Sequence, residues 1–176
     1  MTSTIVLRNT VYSALFVALI AVGAFIAIPI GPVPIVLQNM FVLLAGLLLG
    51  PRWGLASVAV YLLVGLAGLP VFAGGTAGVG KLFGPTGGYL LGYLPAVFAT
   101  GLISRIFKGG MAGNILALVV GSIIVYGAGV PWLKVAFSMS WSKALAAGMY
   151  PFILGDILKI IVAALITPRV KPFMKG

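Results

Sequence analysis

Asp156 and Lys159 are the residues of this chain best suited to chemistry. Asp156 is the only acidic residue in 176, set against eleven Lys and Arg. It sits in Tyr150-Pro-Phe-Ile-Leu-Gly-Asp-Ile-Leu-Lys159, an otherwise apolar run that continues to Ile166. Three positions apart on a helix, the two side chains project from one face. A carboxylate accepts hydrogen bonds from ligand N–H groups, and an ammonium donates to a ligand carbonyl or carboxylate. Charges are expensive in hydrocarbon, so a pair inside a membrane segment marks a functional site by default. The competing reading is an ion pair that only orders helix packing. Buried pairs are often neutral or costly for stability, which makes that a poor reason to keep one. A proton relay through Asp156 would need a second carboxylate or a His, and the chain has neither.

Other polar positions are open to two readings. Gln38 and Asn39 begin an apolar segment, where an amide can cap a helix near the interface or hydrogen-bond within a pocket. Gln38 fits both, and capping is the expectation for Asn39. Lys81 is the one charge in a glycine-rich stretch, either an interfacial anchor or a partner for an anionic ligand group, with anchoring the simpler reading. Tyr89 and Tyr93 read first as interfacial aromatics and second as ligand contacts. Ala14-Leu-Phe-Val-Ala18 is a small-xxx-small pattern that lets another helix approach closely.

Composition removes whole classes of function. The chain is 62% hydrophobic and 7% charged, where a soluble domain carries roughly 25% charged residues. It is therefore expected to be an integral membrane protein, in one domain covering residues 1–176. With no Cys and no His, it has no disulfide, no thiol chemistry and no imidazole base or metal ligand. A single carboxylate excludes paired-carboxylate catalysis and carboxylate-rich metal cages. No resident cofactor or metal is expected. Without a phosphate-binding GxxxxGK[ST] loop, the chain does not hydrolyse ATP by itself. Net charge +10 could suggest nucleic acid, but the basic residues form no cluster and fall at the ends of apolar segments, as topology markers.

Six segments near the length of about 20 residues needed to cross a bilayer follow from hydropathy and from Gly and Pro breaks. They cover residues 10–28, 35–49, 53–69, 85–106, 111–130 and 151–166. Pro85 and Pro151 suit first helical turns, and Pro95 is expected to kink the fourth span. Arg8, Arg52, Arg105, Lys108, Arg169, Lys171 and Lys175 fall on one side of this arrangement, and Lys81, Lys134 and Lys143 on the other. The positive-inside rule then makes both termini cytoplasmic. The first span is read as retained, not as a cleaved signal. The external loop over residues 70–88 is apolar yet full of glycine, a backbone tolerated at membrane depth only when buried in protein or lining a cavity. The loop over residues 131–148, with Trp132 and Trp141, reads as an interfacial helix or cap. No internal repeat stands out, so an inverted-repeat transporter is not favoured.

Five stretches in order resemble the biotin-specific substrate-binding subunits (BioY) of energy-coupling factor transporters. They are Pro34-Ile-Val-Leu-Gln-Asn39, Leu47-Leu-Leu-Gly-Pro-Arg-Trp-Gly54, Gly65-Leu-Ala-Gly-Leu-Pro-Val-Phe-Ala-Gly-Gly75, Gly84-Pro-Thr-Gly-Gly-Tyr-Leu90 and Gly155-Asp-Ile-Leu-Lys159. The resemblance implies six membrane helices, a biotin site near the external face of the plasma membrane, and no enzymatic activity. It also implies partners: a transmembrane coupling protein docked on Ala14 and Ala18, and two cytoplasmic ATPases. Asp156 and Lys159 map to biotin contacts, with Gln38, Tyr89, Lys81, Gly74 and Gly75 as further candidates. Asp156 then accepts from the ureido N–H groups, Lys159 donates to the ureido carbonyl, and the valeryl carboxylate points to the glycine loop. The alternatives are a subunit for another small vitamin, an intramembrane enzyme, for which acid–base groups are almost absent, and a purely structural assembly subunit.

Overall fold

The computed structural model describes residues 2–29 and 31–174. The elements are α1 (Thr2–Phe25), β1 (Ala27–Ile28), β2 (Ile35–Val36), α2 (Gln38–Leu66), α3 (Gly80–Phe83), α4 (Gly87–Ile106), α5 (Met111–Ala136), α6 (Trp141–Gly148), a 3₁₀ turn (Tyr150–Phe152) and α7 (Ile153–Val170). Five stretches among the described residues are long and apolar enough to cross a membrane: Ser3–Phe25, Gln38–Leu66, Gly87–Ile106, Met111–Ala136 and Trp141–Val170.

The second of these is two helices. At Gly50 the backbone leaves the helical region, with φ 79° and ψ 179°, a conformation essentially reserved for glycine. Pro51 follows and opens the second limb. A Cβ placed on Gly54 would lie 3.0 Å from the Ala45 carbonyl oxygen, whereas residues nine apart on a continuous helix are about 13–14 Å apart along the axis. The chain therefore doubles back, and residues 38–49 and 51–66 form an antiparallel hairpin. Six rods result, as the hydropathy pattern predicts. The limb over 38–49 is only about 18 Å long at about 1.5 Å per residue, well short of the roughly 30 Å hydrocarbon core. Gln38 and Asn39 consequently start their helix deep in the bundle, and residues 27–29 and 31–37 fill the layer above them.

That layer is the β1–β2 ribbon, antiparallel with Ala27 opposite Val36 and Ile28 opposite Ile35. Hydropathy alone extends the first helix to residue 28. Pro29 disfavours helical backbone at Ile28, and α1 stops at Phe25. The carbonyls that end α1 are taken up by the following chain: Leu37 N–H donates to Gly23 O (3.1 Å) and Ile26 O (3.2 Å), and Gly74 N–H to Ala24 O (3.3 Å).

α4 is the centre of the bundle, packed most extensively against α5 and α2. Small residues let these backbones meet. A Cβ on Gly101 would fall 2.5 Å from Pro51 N and 2.7 Å from the Gly50 carbonyl carbon, so α4 rests directly on the turn of the α2 hairpin. Gly101→Val is expected to destabilise the protein by about 3 kcal/mol or more, because backbone atoms cannot move aside as a flexible side chain does. A thermal unfolding midpoint in detergent within a degree of wild type would contradict this packing.

Other boundaries also differ from the sequence-based expectation: α1 starts at Thr2, ahead of residue 10, and α7 runs past residue 166 to Val170. α4 begins at Gly87, with Pro85 in the turn before it. α5 continues through Pro131 to Ala136, so Trp132 and Lys134 belong to a span and only α6 is the separate cap helix. Pro151 lies in the 3₁₀ turn that leads into α7, not in α7 itself. Lys175 lies outside the described residues.

Candidate functional site

A cavity opens between the first limb of α2, α4, α5 and α7, under residues 33–36 and 72–76. Its walls are apolar, from Val33, Leu43, Phe72, Leu90, Val125 and Phe152, and its polar groups include Gln38, Asn39, Ser122, Tyr126, Asp156 and Lys159.

Asp156 is 7% exposed and anchors a closed polar cluster. Its Oδ1 accepts from Lys159 Nζ (2.9 Å) and from Asn39 Nδ2 (2.9 Å), while Lys159 Nζ also donates to Asn39 Oδ1 (3.1 Å). The Tyr126 hydroxyl donates to Oδ2. Thus α2, α5 and α7 are joined at one carboxylate. A carboxylate offers about four acceptor positions and an ammonium three donors. With three donors on Asp156 and two acceptors on Lys159, each retains one unoccupied position. Gln38 is 1% exposed, lines the cavity, and its Nε2 has no hydrogen-bond partner. An unsatisfied buried amide is costly, of order 1–3 kcal/mol, and a ligand acceptor would relieve it.

Asn39 differs from the capping expectation. The residue before α2 is Leu37, no side chain caps that end, and the Asn39 amide is held between Asp156 and Lys159. Tyr89 and Tyr93 are cavity walls, 7% and 4% exposed, not interfacial residues. The Tyr89 hydroxyl donates to Gly148 O (2.8 Å), which ties α4 to the end of the cap helix. Trp132 Nε1 donates to Gly84 O (3.0 Å), which ties α5 to the glycine loop.

Lys81, Gly74 and Gly75 do not line the cavity. Lys81 sits half-buried in the short helix α3. Gly74 and Gly75 adopt φ of 71° and 72°, but their N–H groups already donate to Ala24 O and Phe72 O. They shape the loop and are not free to meet an anion. Thr76 and Thr86 stand at the cavity instead. Ala14 and Ala18 are exposed on the outer face of α1, away from the cavity.

Tyr126 escaped the sequence reading. Its signal was present: a phenol in mid-span, four residues after Ser122, so both lie on one helix face.

The BioY family profile matches residues 1–176. The chain is 42% identical over 165 residues to a biotin transporter BioY of Thermotoga maritima, covering 94% of this chain and 96% of that protein. It is 42% identical over 158 residues to a probable biotin transporter BioY of Pyrococcus horikoshii, covering 90% and 93%. A crystal structure of the S-component for biotin from an ECF-type ABC transporter superposes with a TM-score of 0.91 at 36% identity, over 98% of this chain and 95% of that one.

Proposed function

The chain belongs to the BioY family, and from that premise we propose that it is the biotin-binding membrane subunit of an ECF-type vitamin importer. It is a transporter subunit and not an enzyme. The observation that carries the ligand assignment is the polar cluster of Asn39, Tyr126, Asp156 and Lys159 at one part of a mainly apolar cavity.

The unoccupied positions match a fused ureido ring. The third N–H of Lys159 and the free Gln38 amide donate to the ureido carbonyl. The remaining acceptor position on Asp156 takes one ureido N–H. The thioether ring and valeryl chain lie along Phe72, Leu90, Val125 and Phe152, where burial of apolar surface is worth roughly 25 cal/mol per Å². The carboxylate lies beside Thr76 and Thr86 under the glycine loop.

The basic residues support an orientation. Tyr12 OH donates to Phe173 O (3.5 Å), and a Cβ on Gly109 would lie 2.9 Å from Lys171 Nζ. The start of α1, the α4–α5 turn and the end of α7 therefore share one end of the bundle, which carries Arg8, Arg105, Lys108, Arg169 and Lys171. By the positive-inside rule this supports reading that end and both termini as cytoplasmic and the cavity as facing the exterior. Inward delivery then draws on ATP hydrolysed by two cytoplasmic ATPases through a transmembrane coupling protein that docks on Ala14 and Ala18 of α1.

Calorimetric titration of the purified protein in detergent is expected to give one biotin site of sub-micromolar Kd, about −8 kcal/mol or better. Riboflavin, thiamine and pantothenate are expected to give no heat at the same concentrations. No biotin binding up to about 100 μM, or equal binding of any of these vitamins, would overturn the assignment.

A further inference from the structure

We propose that Lys81, Lys134 and Lys143 form a cationic collar at the mouth of the cavity that speeds capture of an anionic ligand and discriminates against its uncharged derivatives at the encounter step. This rests on the biotin reading and adds a kinetic selection by charge.

The three lysines come from separate elements that the fold brings to one end. Lys81 is in α3, and Gly84, the residue that follows this helix, accepts from Trp132 Nε1 at 3.0 Å. Lys134 lies two residues beyond Trp132 in the last turn of α5, with its Nζ 5.3 Å from the centre of the Trp141 ring. Lys143 is exposed on α6, whose last residue Gly148 is held by the cavity-lining Tyr89. None of the three lines the cavity, but their segments are tied to its wall, through Gly84 two residues before the lining Thr86 and through Gly148 on the lining Tyr89.

Their charge is not neutralised by the protein. The chain has one Asp and no Glu, and that Asp is paired with Lys159 at 2.9 Å inside the cavity. The pair is net neutral, so the field at the mouth comes from the three lysines. Rim charges act mainly on association rate and its salt dependence, and contribute little to affinity once the ligand is seated. The collar would serve a small carboxylate that must be captured from dilute solution. It leaves recognition of the ring to the buried cluster.

The test is stopped-flow association of the full-length protein in a nonionic detergent, with biotin as the anion and biotinamide as its uncharged counterpart. For wild type, the association rate of biotin is expected to fall roughly five- to tenfold between about 10 mM and 500 mM NaCl, with biotinamide changing less than about twofold. The triple variant Lys81→Gln/Lys134→Gln/Lys143→Gln is expected to bind biotin at the high-salt rate whatever the salt, with dissociation unchanged. The corresponding Lys→Arg triple variant keeps the charges and is expected to keep the wild-type salt dependence. Equal slowing of both ligands, or no effect of salt and substitution on either, would overturn the collar. A wild type that binds neither ligand would overturn the biotin reading and the collar with it.

Discussion

Asp156→Asn is expected to weaken biotin binding by about 100-fold or more, the loss that follows when one partner of a buried charge pair is removed. The substitution preserves shape and removes charge. Lys159 then keeps Asn39 Oδ1 as an acceptor but loses its counter-ion at 2.9 Å. The new amide also turns a donor toward one of its former partners, either the Tyr126 hydroxyl or the Lys159–Asn39 pair. A ligand N–H that needed the last acceptor position on Oδ2 meets a neutral and weaker acceptor. Calorimetry measures the affinity, and thermal unfolding of the ligand-free protein separates a folding effect from a binding effect. The double variant Asp156→Asn/Lys159→Met removes the unpaired ammonium and is expected to recover much of the folding stability with no recovery of affinity. Tyr126→Phe removes only one charge-assisted hydrogen bond and is expected to cost about tenfold in affinity. An Asp156→Asn protein that binds biotin with wild-type affinity would sink the proposed role of the carboxylate.

The graded series also shows what the chain reveals before it folds. Asp156 and Lys159 were legible because charge in an apolar run is rare and the i, i+3 spacing is local. Gly50-Pro51 was legible as a break for the same reason. Asn39 was not, because its partners are 117 and 120 residues away in sequence, and a local reading of an amide at a helix start offers only a cap. Tyr126 was hidden by being one more aromatic in a span. The glycine loop misled in the opposite direction: positive φ at Gly74 and Gly75 was foreseeable, but the destination of their N–H groups depends on α1 and on the loop's own turns. The two-residue ribbon before α2 carries too few residues for a periodic signal. What remained illegible was the pairing of short-range features across the bundle. Their existence was readable.

Ala14→Trp together with Ala18→Trp is expected to abolish ATP-driven biotin uptake in cells that carry the coupling protein and ATPases, while leaving biotin affinity in detergent within about twofold of wild type. The separation follows from placement. Both alanines are exposed, one turn apart on the outer face of α1, whose inner face carries the buried residues Phe16 and Ile20. α1 packs chiefly on α2 and does not line the cavity. Two indoles facing outward would displace lipid without entering the core, so the fold and the Asp156 cluster are expected to be unperturbed. A docked helix, by contrast, must approach to within about 8–10 Å of the α1 axis. Close helix contact in membranes depends on small residues at the seam, and two Trp side chains would hold a partner several ångströms away. Copurification with the coupling protein reads assembly, and radiolabelled biotin uptake reads transport. Retained copurification with normal uptake would place the docking face elsewhere. Loss of biotin binding in detergent would show instead that α1 supports the cavity from outside, by fixing Leu37 through the carbonyls of Gly23 and Ile26.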